Sequence, residues 1–370
     1  MEARHRHIPD LQSIRGLAAV AVLLHHSSFL FNTSEEFHYW AEALINAHAA
    51  VIVFFVLSGY VLARSLRNQT LDFESCTRFY VGRLFRLYPA LWASCAVAVA
   101  YLLAFHFRTP TLQASGWYVR YYNAPPNVAD IAKNVSLLGF ALVPPTWSIR
   151  VELFASAAIP FISLAIRRGL GLGLLGGSTV LSIALQNTHQ SRIVAFLLGN
   201  LGYLPCFVLG AVALRYQDRF GRLFGKPSAL ALSAAILLLF RRLDASWRFD
   251  VGYTAITPML VESLAAAILI IGVVAHPIPL LQRRLVVRLG DISYSLYLIH
   301  FIVMSALAKL IGGLSINEDV RAMLLMMVTL AVCWPLSAIS YSYIEKPGIW
   351  VGRMLANTLS GTYLRSRPRL

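Results

Sequence analysis

Ten apolar stretches of this sequence read as helices that cross a lipid bilayer, and no other feature constrains the fold as tightly. A helix needs about 20 apolar residues to span the hydrocarbon core, where each backbone N–H and C=O has to be satisfied within its own segment. The stretches lie at about 10–31, 42–63, 88–107, 146–166, 170–187, 193–214, 227–240, 253–275, 290–309 and 322–343. Together they take up most of the 370 residues, of which 58% are hydrophobic and 13% charged. A soluble domain carries roughly 25% charged residues, so a soluble protein is excluded. The expectation is an all-α polytopic membrane protein of about ten transmembrane helices, with no hydrophilic domain between them. The first stretch has no small-residue cleavage site and carries Arg15, His25 and His26, so it reads as a retained helix rather than a secretory signal.

The net charge of +15 would suggest nucleic-acid binding in a soluble protein. With the N-terminus placed in the cytoplasm, however, 21 of the 32 lysines and arginines fall on the cytoplasmic side and nine on the other, leaving Arg15 and Arg150 within spans. That asymmetry is the positive-inside pattern. It predicts both termini inside, an even number of spans and no nucleic-acid partner. It also makes the cytoplasmic face the place where an anionic small molecule would arrive. The loop Arg108–Pro145, on the opposite side, is rich in aromatics and proline, among them Trp117, Tyr118, Tyr121 and Tyr122. It reads either as an acceptor or lid element or as an interfacial aromatic belt. Cys76, Cys95, Cys206 and Cys333 lie far apart without a CxxC pair, so neither a disulfide framework nor a metal site is indicated.

Ionisable groups inside spans are costly and point to function by default. Arg15 and His26 are separated by 11 residues, about 20° from three full helical turns, so they share one face about 16 Å apart. His25 points about 100° away. His26 reads either as a catalytic histidine able to take a proton near neutrality or as a structural residue bonded to a neighbouring helix. Glu152 follows Ser148 by one turn, with Arg150 on another side, and reads as a structural clamp or as part of the chemistry. Glu262 reads as a structural pair member. Ser58-Gly59 permits close helix approach, with a serine nucleophile as the lesser reading. Arg83 and Arg86 lie on one face of a basic amphipathic stretch, a spacing suited to two phosphates; positive-inside anchoring is the plainer account. Ser293, Tyr297 and His300 share a face, and His300 reads more readily as structural than catalytic. Glu345-Lys346-Pro347 reads as a polar helix stop.

Taken in order, these motifs resemble the acyltransferase 3 family, integral membrane acyltransferases that modify O-antigens, nodulation factors, peptidoglycan and macrolides. The resemblance rests on Leu11-Gln-Ser-Ile-Arg15-Gly through His26, Phe54-Phe-Val-Leu-Ser58-Gly59, Arg83-Leu-Phe-Arg86-Leu-Tyr-Pro89, Trp147-Ser148 with Glu152, Gly290-Asp-Ile-Ser-Tyr-Ser-Leu-Tyr297-Leu-Ile-His300 and Tyr343-Ile-Glu-Lys-Pro347. The chain departs from the family pattern at Ile52, where an acidic residue is common, and at Phe154-Ala155, where tyrosine is common. The resemblance implies a membrane domain over 8–353 followed by a basic cytoplasmic tail, 354–370, without the hydrolase-like domain that some members carry. It implies transfer of an acyl group, typically acetyl, from acyl-CoA as co-substrate to a hydroxyl of a carbohydrate or lipid-linked glycan. No permanently bound cofactor is implied, and the setting would be a bacterial inner membrane. Arg15 and His26 would be the essential catalytic residues and Arg83 and Arg86 the donor-binding pair. Ser58, Trp147, Ser148, Glu152, Tyr297 and His300 would support them. The rival reading is a transporter of a small organic acid or acylated product with Arg15, Glu152 and His26 lining its path; the lack of repeated halves weighs against it.

Overall fold

The computed structural model describes residues 8–108, 111–122, 124–186, 192–246 and 256–359, giving the backbone alone for 186, 192–194 and 241–246. The N-terminal residues 1–7 and the basic tail from 360 onward lie outside the described residues. In chain order the helices are α1 (Pro9–Ser28), α2 (Glu35–Leu44), α3 (Ala47–Leu66), α4 (Phe73–Ala104), α5 (Gly116–Val119), α6 (Val128–Val135), α7 (Thr146–Arg167), α8 (Gly171–Gln186), α9 (Arg192–Leu201), α10 (Leu204–Phe224), α11 (Pro227–Ser246), α12 (Ile256–Ala275), α13 (Arg284–Ile311), α14 (Glu318–Ser340) and α15 (Lys346–Leu359). Among the described residues the extended structure amounts to a single bridge, Phe31 to Ala114.

The all-α expectation holds among the described residues, seven of whose helical stretches are long and apolar enough to cross a membrane: Glu35–Leu66, Phe73–Arg108, Thr146–Arg167, Ala195–Phe224, Ile256–Ala275, Ser293–Ile311 and Glu318–Leu359. The apolar parts of α8 and α11 are shorter. α1 has the length but is interrupted by Asp10, Gln12, Ser13, Arg15 and its two histidines.

Three boundaries differ from the sequence reading. The basic stretch around Arg83 and the span after it form one 32-residue helix, α4, with Pro89 inside. The stretch read as one span over 193–214 falls within one candidate span, Ala195–Phe224, but its helix is interrupted at Gly202-Tyr203 between α9 and α10, where Pro205, lacking an N–H, takes a first-turn position in α10. The polar stop at Glu345-Lys346-Pro347 is no stop. Pro347 cannot donate to a carbonyl in the preceding turn; the chain widens into a π segment over Tyr341–Glu345, the Lys346 N–H reaches the Tyr341 carbonyl, and the helix continues as α15.

The chain divides into two compact units: Met1–Val22, Glu42–Asn68 and Val151–Asp291 in the first, and Leu23–Ala41, Gln69–Arg150 and Ile292–Leu370 in the second. In the first, α3 packs on α10 and α12. The approach of α3 to α10 is close because Gly59 faces the Phe207 carbonyl while Gly210 faces the Val56 carbonyl. Beside it, Glu262, fully buried, accepts from Asn46 Nδ2 at 3.1 Å and meets His48 Nδ1 at 2.6 Å. Asn46 also caps α3 through the Ala49 N–H. This is the structural pairing expected of Glu262.

In the second unit α15 packs along the N-terminal half of α4, with Gly348 against Phe85 and Pro89 and Gly352 against Phe85. Asp72 caps α4 by accepting from the Ser75 N–H at 2.8 Å. Hydrogen bonds from Thr70 and Ser75 hold its carboxyl down to about 2.

Candidate active site

Within the second unit, the end of α1 and the middle of α13 bring two histidines together. His26 Nδ1 lies 2.9 Å from His300 Nε2, with the rings stacked at 14° and 5.2 Å between centroids. His300 is fully buried, and its Nδ1 faces the Leu296 carbonyl one turn back, at 3.3 Å. Ser27, next to His26, contacts the Met304 sulfur, which fixes the register of the two helices here. Tyr297 packs against His300 at 5.7 Å, and its hydroxyl is 2.7 Å from Ser148 Oγ at the start of α7. His26, Ser148 and the Tyr297–His300 pair, picked out in three separate parts of the sequence, thus come together as two hydrogen-bonded pairs joined by the packing of Tyr297 on His300. Trp147 is half-buried beside it in sequence.

Aromatic rings pack against His26. Trp117 lies 5.6 Å and Phe301 5.9 Å from its ring, and Tyr121 packs on both of those residues. The segment carrying Trp117 is tied to the end of α1: Ser115 Oγ donates to the Phe29 carbonyl at 2.5 Å, and the Ser115 N–H to the Leu30 carbonyl at 2.8 Å. Burial holds the Tyr118, Tyr121 and Tyr122 hydroxyls above the usual tyrosine range, so they serve as neutral hydrogen-bonding groups rather than bases.

The other residues of interest are distributed as follows. Arg15, in the first unit, donates through Nη2 to the Gly290 carbonyl at 2.9 Å. A neighbouring bond joins Gln12 to Asp291 at 2.9 Å. Ser58 Oγ donates to Glu152 Oε1 at 3.1 Å, also in the first unit, so the serine has a carboxylate rather than a histidine beside it. Ile52 is fully buried, and Phe154 sits edge-on to Phe196. Arg150 donates to the Leu138 carbonyl and lies over the Phe140 ring. On α4, in the second unit, Arg83 and Arg86 are half-buried. Arg86 lies 3.6 Å from Glu345, whose side chain is fully buried and accepts from Ser295 at 3.2 Å.

Sequence reasoning missed two of these roles. Phe301 was hidden among apolar neighbours. Glu345 was taken for a helix end because the acidic-basic-proline run looks like one. The signal against that reading was Gly348 and Gly352, four residues apart, which mark a helix face that packs closely.

A family model for the acyltransferase domain, acyltransferase 3, matches residues 8–338. The chain is 25% identical over 379 aligned positions to peptidoglycan O-acetyltransferase OatA of Listeria monocytogenes, covering 92% of this chain and 56% of that protein. It is 24% identical over 370 positions to nodulation protein 10 of Rhizobium leguminosarum bv. viciae, covering 93% of this chain and 94% of that one. The chain therefore spans little more than half the length of the peptidoglycan enzyme. No solved structure matches it. With the motifs, the helical membrane architecture and this match over nearly the whole sequence in agreement, the chain belongs to the acyltransferase 3 family.

Proposed function

We propose that this integral membrane protein transfers an acyl group, acetyl in the first instance, from acyl-CoA to a hydroxyl of a cell-surface carbohydrate. The observation that carries the reading is His26, bonded to a buried histidine and packed against Trp117 and Phe301, in a chain of this family. His26 acts as the general base. It accepts the acceptor's hydroxyl proton as that oxygen attacks the thioester carbonyl. The tetrahedral oxyanion collapses with loss of the CoA thiolate, and the histidine returns the proton to the sulfur. Arg15, three turns earlier on α1, orients the donor or stabilises the negative charge. Arg83 and Arg86 hold the donor phosphates, with Glu345 setting the angle of Arg86. Trp147, Ser148 and Tyr297 support His26. In this reading α1, α8 and α11 also cross the bilayer, making ten spans with both termini in the cytoplasm of a bacterial inner membrane. The donor enters from that side and the acceptor from the other. The acceptor is a glycan, a class supported by the name of the peptidoglycan O-acetyltransferase relative.

The test is transfer by the full chain in lipid nanodiscs from radiolabelled acetyl-CoA to chitotetraose, a soluble polyhydroxyl probe. The expected product is an alkali-labile acetyl ester. His26→Ala lowers its rate by about 10²–10⁴-fold, the usual contribution of a general base. Arg83→Ala and Arg86→Ala raise the KM for acetyl-CoA instead. Label carried into sealed vesicles with no ester formed would favour transport and overturn the reading. So would a His26→Ala protein with undiminished transfer.

A further inference from the structure

We infer that His300 is a positioning residue for His26: it fixes the proton of the His26 imidazole on Nδ1 and so presents Nε2 as the basic nitrogen. The inference rests on the reading of His26 as the base. It follows from two successive atom pairs, of which one end is unambiguous. A backbone carbonyl can only accept, so His300 Nδ1, facing the Leu296 carbonyl at 3.3 Å, carries a hydrogen. A neutral imidazole holds one N–H, which leaves His300 Nε2 with its lone pair. That lone pair faces His26 Nδ1 at 2.9 Å, so His26 Nδ1 is the donor and His26 Nε2 is unprotonated.

The opposite arrangement puts the His300 proton on Nε2 and turns the Nδ1 lone pair against the Leu296 carbonyl, two acceptors facing each other. Protonating both His300 nitrogens sets two N–H groups against one another across 2.9 Å unless His26 gives up its own. Burial makes either mismatch costly, because His300 is fully buried and removed from bulk solvent. The geometry is a common means of orienting a functional histidine, in which the bond made by one ring nitrogen decides the state of the other. Here the orienting group is a second histidine rather than a carboxylate. It supplies direction without placing a negative charge beside the site.

The arrangement also accounts for the surroundings of His300. Tyr297, one turn before it, is tied by its hydroxyl to Ser148 at 2.7 Å, and its ring packs against the imidazole. Phe301 packs against both histidines. The ring plane of His300 is thus held by neighbours on both sides, and that plane sets the direction of the Nε2 lone pair.

The test is ¹⁵N NMR of the full chain in nanodiscs with ¹⁵N-labelled histidine at alkaline pH, where the imidazoles are neutral. His26 is assigned by its disappearance in His26→Gln. The expected result for the wild type is a protonated Nδ1 and a bare Nε2 on His26. His300→Phe, which removes the acceptor and keeps the volume, shifts His26 toward the Nε2-protonated form that free histidine prefers. His300→Gln, whose side-chain oxygen can accept, retains the wild-type form. In the transfer assay His300→Phe lowers kcat by about 10²-fold or more, the lower bound for a lost general base, while the KM for acetyl-CoA stays within twofold; His300→Gln recovers at least a tenth of the wild-type kcat. A wild-type His26 protonated on Nε2 overturns the inference, as does a His300→Phe protein whose His26 tautomer and kcat are unchanged. The NMR result needs no substrate. A wild-type chain with the expected tautomer and no transfer activity would therefore sink the proposed function alone.

Discussion

Glu262 shows how a single residue in this protein is made tolerable by partners that are distant in sequence. Its carboxylate is fully buried, and Asn46 and His48, more than 200 residues earlier, meet its two oxygens. The sequence announced that a partner was required, since an unpaired buried charge costs several kcal/mol. It could not say which partner, because His48 and Asn46 have no local relation to Glu262. Removing one member leaves the others with unmet polar atoms. Glu262→Ala is expected to lower stability by about 3–5 kcal/mol, read as a fall in the thermal midpoint in detergent, and Glu262→Gln, which keeps an acceptor, by less. Equal midpoints for the two variants would remove the cluster from any stabilising role. The same reasoning separates what could be read of the site. Arg15 and His26 were legible together because both lie on α1. The contact between His26 and His300 joins residues 274 apart, and helix spacing carries no information at that range.

At the scale of elements, small residues decide which helices touch. A Cβ added at Gly59 would be driven into the Phe207 carbonyl, and one at Gly210 into the Val56 carbonyl. Both obstacles are backbone, so neither can swing aside. Gly59→Ala is expected to push α3 away from α10 and cost about 1–3 kcal/mol or more, seen as a lower midpoint and as aggregation on detergent exchange. A midpoint equal to wild type would show that the two helices have slack. The Ser58-Gly59 pair was readable as a packing signal from composition alone. The breaks between elements were less so. The run over 193–214 is uniformly apolar, and its interruption at Gly202-Tyr203 depends on Pro205 and on local backbone geometry that hydropathy does not register. At Glu345 the error ran the other way, because proline normally marks an ending. Here the π segment absorbs its missing N–H, and the helix runs on.

For the whole molecule, composition alone excluded a soluble protein, and the order of six motifs pointed to the family. Hydropathy cannot separate a span from an apolar helix that stops short, so seven stretches meet the criterion where ten were read. The division into two units was not legible either, since α1, α7 and α13 each pass from one unit into the other without a break in their patterns. The ten-span topology makes a prediction of its own: in sealed spheroplasts, Gly116→Cys reacts with an impermeant maleimide and Lys226→Cys does so only after lysis. The reverse pattern would invert the proposed orientation. The stretch from Glu318 to Leu359 is 42 residues long and that from Phe73 to Arg108 is 36. At 1.5 Å per residue these follow paths of about 63 and 54 Å, roughly twice the 30 Å hydrocarbon thickness. Lipid tails can therefore solvate only about half of each. Because Gly348 and Gly352 hold α15 against Phe85 and Pro89, the proposed topology has the excess of both helices emerge on the same side as a paired stem. The proposed topology puts Arg83 and Arg86 where that stem leaves the hydrocarbon, so that an anion arriving from water would reach them without crossing any lipid.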